Sequence, residues 1–140
     1  RRMKYGTMKG ERILIDTSVW IDYFPGIRNS LTDLTDDILA QARVFVPRVV
    51  IAELIQGAKS EKEIKVIEEF LNAFTIVDQS VDTWLDAGKL SFTIKKKGLT
   101  VHLVDCYIAL IASEHDCKLL TLDKHFRDIK KFHKIEIVGM

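Results

Sequence analysis

Three features of the chain predict an α/β fold built on a central, mostly parallel sheet. Short apolar runs of strand length recur at about residues 12–16, 44–46, 75–77, 118–122 and 135–138, and stretches with helical periodicity separate them. The connections are short. Alternating strands and helices with short connections are the signature of a parallel sheet covered on both faces.

The first strand is Arg12 to Asp16, and a short helix over about 18–24 follows, capped by Thr17 or Ser18 and stopped by Pro25-Gly26. Asn29 or Ser30 caps a helix to about Ala42, with Leu31, Leu34, Ile38 and Leu39 on one stripe. Val44 to Val46 is a second strand. Pro47 suits the first turn of the next helix, which ends at Gly57. Ser60 opens a further helix with Glu63 in the capping-box position, and Ile64, Ile67, Phe70 and Leu71 keep its spacing. Thr75 to Val77 is a third strand. Ser80 opens a long helix closed by Lys95-Lys96-Lys97-Gly98, and Thr100 precedes another over about 102–114. Lys118 to Leu122 is the fourth strand, ended by Asp123; a short basic helix over about 124–132 leads to a last strand, Ile135 to Val138. The strand order is not readable from pattern.

A length of 140 residues fits one domain, assigned to residues 11–140. Residues 1–10 carry no periodicity and read as a flexible lead-in or a cloning remnant, with Met3 or Met8 as the native start. A chain this long buries roughly two-thirds of its unfolded surface, enough for a core without staples. The net charge of +1 leaves no global attraction to nucleic acid or membranes, so any must come from local patches. Cys106 and Cys117 form no zinc or CxxC pattern and read as reduced thiols. No apolar run approaches the roughly 18 residues of a membrane span, and no signal peptide is visible, so a cytoplasmic protein is expected. There is no glycine-rich phosphate loop, which argues against a nucleotide cofactor.

Asp16 and Asp123 each end a strand, so in a parallel sheet they share its carboxyl edge, where α/β sheets bind ligands. Glu53 lies in the first half of a helix that starts at that edge, beside Val49 and Val50. Asp105 sits on a stripe with Val101, Ile108, Ala109 and Ala112, near the amino end of its helix, where the dipole tolerates negative charge. Singly, each has an ordinary explanation: a turn or cap for Asp16 and Asp123, a salt bridge to Arg48 for Glu53, an exposed first-turn acid for Asp105. Together they form a pattern. Two carboxylates about 4 Å apart repel by roughly 4 kcal/mol at an effective dielectric near 20. A cluster therefore takes up protons or holds a cation, and all-oxygen donors favour Mg²⁺ or Mn²⁺. A water carried by such an ion can become a nucleophile against a phosphodiester.

The segments Ile-Asp-Thr-Ser-Val-Trp-Ile-Asp, Val-Ile-Ala-Glu-Leu-Ile-Gln-Gly, Asp-Cys-Tyr-Ile-Ala and Leu-Thr-Leu-Asp-Lys-His-Phe resemble, in order and spacing, the four motifs of PIN-domain ribonucleases, and among them the VapC-type toxins of toxin–antitoxin pairs. The resemblance runs from about residue 12 to the end. It implies a three-layer α/β/α domain, Mg²⁺- or Mn²⁺-dependent hydrolysis of RNA phosphodiesters, a cognate antitoxin, and a homodimer. It places the family's acids at Asp16, Glu53, Asp105 and Asp123, with Asp16 and Asp105 as the foremost metal ligands and Glu53 and Asp123 ligating directly or through water. Ser18 and Thr121 occupy its supporting hydroxyl positions. One departure is visible: many relatives carry a further acid two residues beyond the fourth, where this chain has His125.

The tail from Lys118 holds six Lys/Arg against three acids, and Lys124, Arg127, Lys130, Lys131 and Lys134 follow the fourth acid as candidate phosphate contacts. The four histidines lack metal spacing and read as surface or core residues. Trp20 reads as core; Tyr23 and Phe24 are candidate interface residues, because early helices carry partner contacts in this family. Two other readings remain open: a metal-dependent DNA nuclease of similar architecture, and a non-catalytic RNA-binding scaffold. Other aspartate-based phosphotransfer domains fit poorly, since Asp16 is followed by Thr17-Ser18 rather than by a second acid.

Overall fold

The computed structural model describes residues 8–139. Residues 1–7 of the expected lead-in, and Met140, lie outside the described residues. The lead-in does not extend to residue 10: Met8 is buried in the core and its N–H donates to Gln41 Oε1, as that of Gly10 does to the Gln41 carbonyl.

The elements in chain order are β1 (Arg12–Ile15), α1 (Thr17–Tyr23), α2 (Ser30–Gln41), β2 (Arg43–Pro47), α3 (Arg48–Gln56), α4 (Glu61–Leu71), β3 (Thr75–Val77), α5 (Thr83–Lys96), α6 (Leu103–Glu114), β4 (Lys118–Leu120) and α7 (His125–Ile129). The strands form one all-parallel sheet in the order β3-β2-β1-β4. Right-handed crossovers fix the layers. The chain moves outward from β1 to β2 to β3 with α1–α4 on one face, then reverses and returns past β1 to β4 with α5 and α6 on the other. Helix packing follows this division: α1 contacts α2 and α3, α3 contacts α4, and α5, α6 and α7 contact one another in turn. The α/β/α architecture with a parallel central sheet is the one expected. The reversal leaves a crevice between the carboxyl ends of β1 and β4.

Ile13, Leu14 and Ile15 are fully buried, so β1 is the centre of the core. Trp20 is fully buried as expected, donates from Nε1 to the Ile15 carbonyl (3.2 Å), and meets Tyr23 and Phe70 edge to face. This pins α1 to β1, and with it the turn at Asp16.

Several element ends differ from the sequence reading, each for a local reason. Pro47 closes β2 and precedes α3 in extended conformation instead of entering the helix. Asn29 is the cap of α2 and exchanges bonds with Thr32. Ser60 caps α4, but Glu63 reaches the Lys59 N–H instead of that of Ser60. The long helix α5 starts at Thr83, because the Ser80 N–H is taken by Thr83 Oγ1 and the chain makes a turn first. Helix α7 ends at Ile129, short of 132. Residues 135–138 form no strand; Ile137 makes a single parallel bridge to Leu119, flanked by bonds from Leu119 N–H to the Glu136 carbonyl and from Val138 N–H to the Leu119 carbonyl.

Candidate metal centre

Asp16 follows directly on β1 and is 4% exposed. It, and not Thr17 or Ser18, is the N-cap of α1: Oδ1 accepts the Ser18 N–H (3.1 Å) and the Ser18 hydroxyl (2.6 Å). Oδ2 accepts from Thr121 Oγ1 (2.7 Å). Burial pushes the Asp16 carboxyl above the ordinary carboxylate range; the Ser18 and Thr121 bonds oppose the shift and the charge of Asp123 adds to it. Asp16 is therefore both a cap and an acid held rigid beside the crevice.

The same hydroxyls shape the turn after β4. Ser18 Oγ accepts the Leu122 N–H (2.9 Å), and Thr121 Oγ1 accepts the Asp123 N–H (2.9 Å). These bonds replace strand pairing, so β4 stops at Leu120 and Asp123 sits in a turn, not at the strand end. Asp123 Oδ1 in turn accepts the His125 N–H (2.9 Å), and His125 Nδ1 lies 3.0 Å from the same oxygen.

Asp105 reaches the crevice from the first turn of α6. Its stripe is buried as expected: Val101, Ile108, Ala109 and Ala112 are all in the core. Asp105 Oδ2 is a buried oxygen without a hydrogen-bond partner, unlike every other buried side-chain polar atom among the described residues. His125 Nδ1, at 4.0 Å, is too far for a hydrogen bond. Burial pushes the Asp105 carboxyl up to about 7; the charge of Asp123, a side-chain hydrogen bond with Asp123, and the charges of Asp16 and Glu53 add to the rise in that order.

Glu53 is partly buried on α3, and Thr17 donates to its Oε1 (2.7 Å). The pairing with Arg48 considered from sequence does not form, because Arg48 bonds Asp78 (2.9 Å). The turn at 16–18 thus bridges the site: residue 16 supplies an acid, residue 17 steadies Glu53, and residue 18 ties down the β4 turn.

Asp16, Ser18, Glu53, Asp105, Thr121 and Asp123 are thus gathered at one end of the β1–β4 crevice. The basic tail is not gathered there as a block. Lys124 and Arg127 line a small cleft with Thr121 and Asp123, whereas Lys134 borders a cleft with Gly10, Arg12 and Asp116, and Lys131 pairs with Asp128. His125 was set aside with the other histidines, yet one donor atom from each of Asp105, Asp123 and His125 lies within 4.8 Å of the others. Its position two residues past Asp123 was the available signal. The donor set of carboxylates, one oxygen of it buried and unsatisfied, fits a hard divalent cation.

A groove of about 560 Å³ runs from Glu53 along α1, α3 and α4, lined by Phe24, Leu54 and Ile67 and by exposed Ile21 and Val66. Of the two candidate interface aromatics, Phe24 lines this groove. Tyr23 is instead partly buried in the aromatic cluster and donates to Asp36 Oδ1 (2.7 Å). Cys106 and Cys117 are both free and buried, and burial pushes each thiol up to about 11. Among the described residues no helix is long and apolar enough to cross a membrane.

A sequence model of the PIN domain matches residues 13–132. The chain is 30% identical over 122 residues to Ribonuclease VapC1 of Methanocaldococcus jannaschii, covering 86% of this chain and 83% of that one. It is 26% identical over 129 residues to Ribonuclease VapC11 of Mycobacterium tuberculosis, covering 89% and 96%. The fold is similar to that in the 2.2 Å structure of VapBC-1 from nontypeable Haemophilus influenzae, with a TM-score of 0.72 at 23% identity over 90% of this chain and 96% of that one.

Proposed function

The chain belongs to the PIN-domain family, and on that footing we infer that it is a divalent-metal-dependent endoribonuclease, the toxin of a toxin–antitoxin pair. The observation that carries the reading is the unsatisfied, buried Asp105 Oδ2 facing Asp123 and His125, beside a rigid Asp16. The relatives named ribonucleases support RNA as substrate. Asp16, Asp105 and Asp123 would hold Mg²⁺ or Mn²⁺, with Glu53 completing the set directly or through water. When bound, the ion supplies Lewis-acid stabilisation of charge developing on the phosphodiester and lowers the pKa of a coordinated water.

The chain's own residues do the rest. Ser18 and Thr121 fix both oxygens of Asp16, so no reorganisation is needed at the moment of reaction. Thr17 fixes Glu53 as the residue that orients or accepts a proton from the attacking water. Lys124 and Arg127, beside Asp123, hold flanking phosphates. The domain is taken as residues 11–140 with Met8 packed against it, in the cytoplasm, where thiols stay reduced. A homodimer has a candidate surface on α5, where Leu85 and Phe92 are exposed.

Asp16→Asn is expected to keep the cap, because Asn accepts the Ser18 N–H as Asp does, and to lose cleavage. Asp16→Ala is expected to lose cleavage and also about 1 kcal/mol or more of stability. Thermal unfolding and Mn²⁺-dependent cleavage of total cellular RNA, with cut sites mapped, check both. Undiminished cleavage by Asp16→Asn, purified free of host nucleases, would remove the assignment. Competition between RNA and DNA oligonucleotides separates this reading from a DNA nuclease, and calorimetry with Mn²⁺ separates it from a scaffold without a working site.

Solved structures that share the fold include a toxin–antitoxin complex from Klebsiella pneumoniae and a member of the VapBC family of toxin–antitoxin systems from Mycobacterium tuberculosis. The groove from Phe24 to Val66 suits an apolar antitoxin segment, and because it begins at Glu53 such a segment would lie at the mouth of the acidic cluster. Val66→Glu is expected to weaken antitoxin binding at least about tenfold while cleavage by the free protein is unchanged. Co-purification with the product of the neighbouring short reading frame, followed by titration, measures it; unchanged affinity would move the interface elsewhere.

A further inference from the structure

We propose that His125 is a nitrogen ligand in the metal centre and that it sets a preference for Mn²⁺ over Mg²⁺. The inference rests on the metal-centre reading above and departs from the all-carboxylate set expected from sequence.

The geometry favours coordination over a simple hydrogen bond. His125 Nδ1 stands 3.0 Å from Asp123 Oδ1 and 4.0 Å from Asp105 Oδ2. One donor atom from each of Asp105, Asp123 and His125 lies within 4.8 Å of the others, close enough for a single small ion to be shared by all three. A hydrogen bond from the ring to Asp123 would serve that oxygen and leave Asp105 Oδ2 unserved. An ion among the three atoms serves all of them.

The ring is also placed to stay. His125 opens α7, which is anchored by fully buried Phe126 and Ile129, and its N–H is held by Asp123 Oδ1. The His102 ring, just before α6, meets the His125 ring edge to face at 5.8 Å. The side chain is 46% exposed, so the imidazole forms one wall of the site and not part of the core.

The chemical consequence follows from the donor type. Carboxylate and water suit Mg²⁺ and Mn²⁺ alike, whereas an imidazole nitrogen is a poor ligand for Mg²⁺ and a good one for the later divalent ions. Exchanging an acid for a histidine also removes one negative charge. Mg²⁺ loses attraction without compensation; Mn²⁺ regains it through the nitrogen.

The test uses the whole protein without RNA. Mn²⁺ and Mg²⁺ affinities are measured by calorimetry, and the Mn²⁺-loaded protein is examined by pulsed EPR for coupling to a directly bound ¹⁴N nucleus. The wild type should show the coupling, and His102→Ala should retain it. His125→Ala should lose it and bind Mn²⁺ at least about tenfold more weakly, with a much smaller change for Mg²⁺. His125→Asp should lose the coupling and gain Mg²⁺ affinity. Binding of Mn²⁺ to the wild type without nitrogen coupling, or coupling that survives His125→Ala, would overturn the inference and leave the acidic centre standing. No Mn²⁺ binding at all would overturn the acidic centre and this inference together. Because the side chain is exposed, each variant is expected to fold as the wild type does, which thermal unfolding checks.

Discussion

Replacing Asp105 by Asn is expected to abolish RNA cleavage and at the same time make the metal-free protein harder to unfold. The two effects have one cause. Asp105 is buried among Asp16, Glu53 and Asp123, and its carboxyl is pushed up to about 7. A group whose folded pKa lies above its unfolded value stabilises the fold fully only below the unfolded value, near 3.8, and that contribution is lost as pH rises through about 7. At pH 8 the ionised Asp105 thus costs the metal-free fold on the order of 4 kcal/mol. Asparagine cannot ionise and escapes most of this cost. It also cannot provide the anionic oxygen that the centre needs, so cleavage should fall by at least about 10²–10³-fold. Urea unfolding in EDTA at pH 8 and cleavage assays with Mn²⁺ read the two halves separately. A variant that is both inactive and less stable would mean that Asp105 is a packing residue.

Stabilisation by Mn²⁺ should depend steeply on pH, in the direction opposite to the stability of the metal-free protein. From pH 8 to pH 5 the metal-free protein should gain stability as Asp105 takes up a proton more readily than in the unfolded chain. Mn²⁺ must displace the Asp105 proton, so its apparent affinity should drop about 100-fold at pH 5, two units below a pKa of about 7. An ion present at 100 times its dissociation constant at pH 8 stabilises by about 2.7 kcal/mol, and at pH 5 the same concentration gives about 0.4 kcal/mol. For a domain of this size that is a rise in Tm of roughly 10 °C at pH 8 against roughly 1 °C at pH 5. Differential scanning fluorimetry at both pH values, with and without Mn²⁺, measures it. Equal shifts at the two pH values would place the bound ion away from Asp105.

The sequence exposed the acids because they break patterns. Asp105 interrupts a buried stripe of Val101, Ile108, Ala109 and Ala112, and Asp16 terminates a run of buried aliphatics; both anomalies are local and visible without coordinates. The alternation of strands and helices made the α/β class legible for the same reason. What stayed hidden was settled by contacts between distant parts of the chain. That Asp16 caps α1 itself, and that β4 ends early, both follow from Thr121 and Ser18 meeting across the crevice. The single bridge at Ile137 depends on β4 having an open edge, which only the strand order reveals. The four histidines lack metal spacing in the sequence; the relation of His125 to Asp105 requires α6 and α7 to be placed side by side.

The bond from Thr121 to Asp16 spans 105 residues of chain. During synthesis β1, α1 and the pairing with β2 emerge first, whereas β4 and the turn that orients Asp16 emerge about a hundred residues later. Domains fold as units and long-range parallel pairing is slow, so the crevice closes only after β4 has left the ribosome. A nascent or truncated chain would carry Asp16 and Glu53 without the other wall of the site. For a PIN-domain ribonuclease, this order of assembly withholds the complete acidic cluster until β4 is made, whereas α1, α3 and α4, which line the groove beside Glu53, are all made before it.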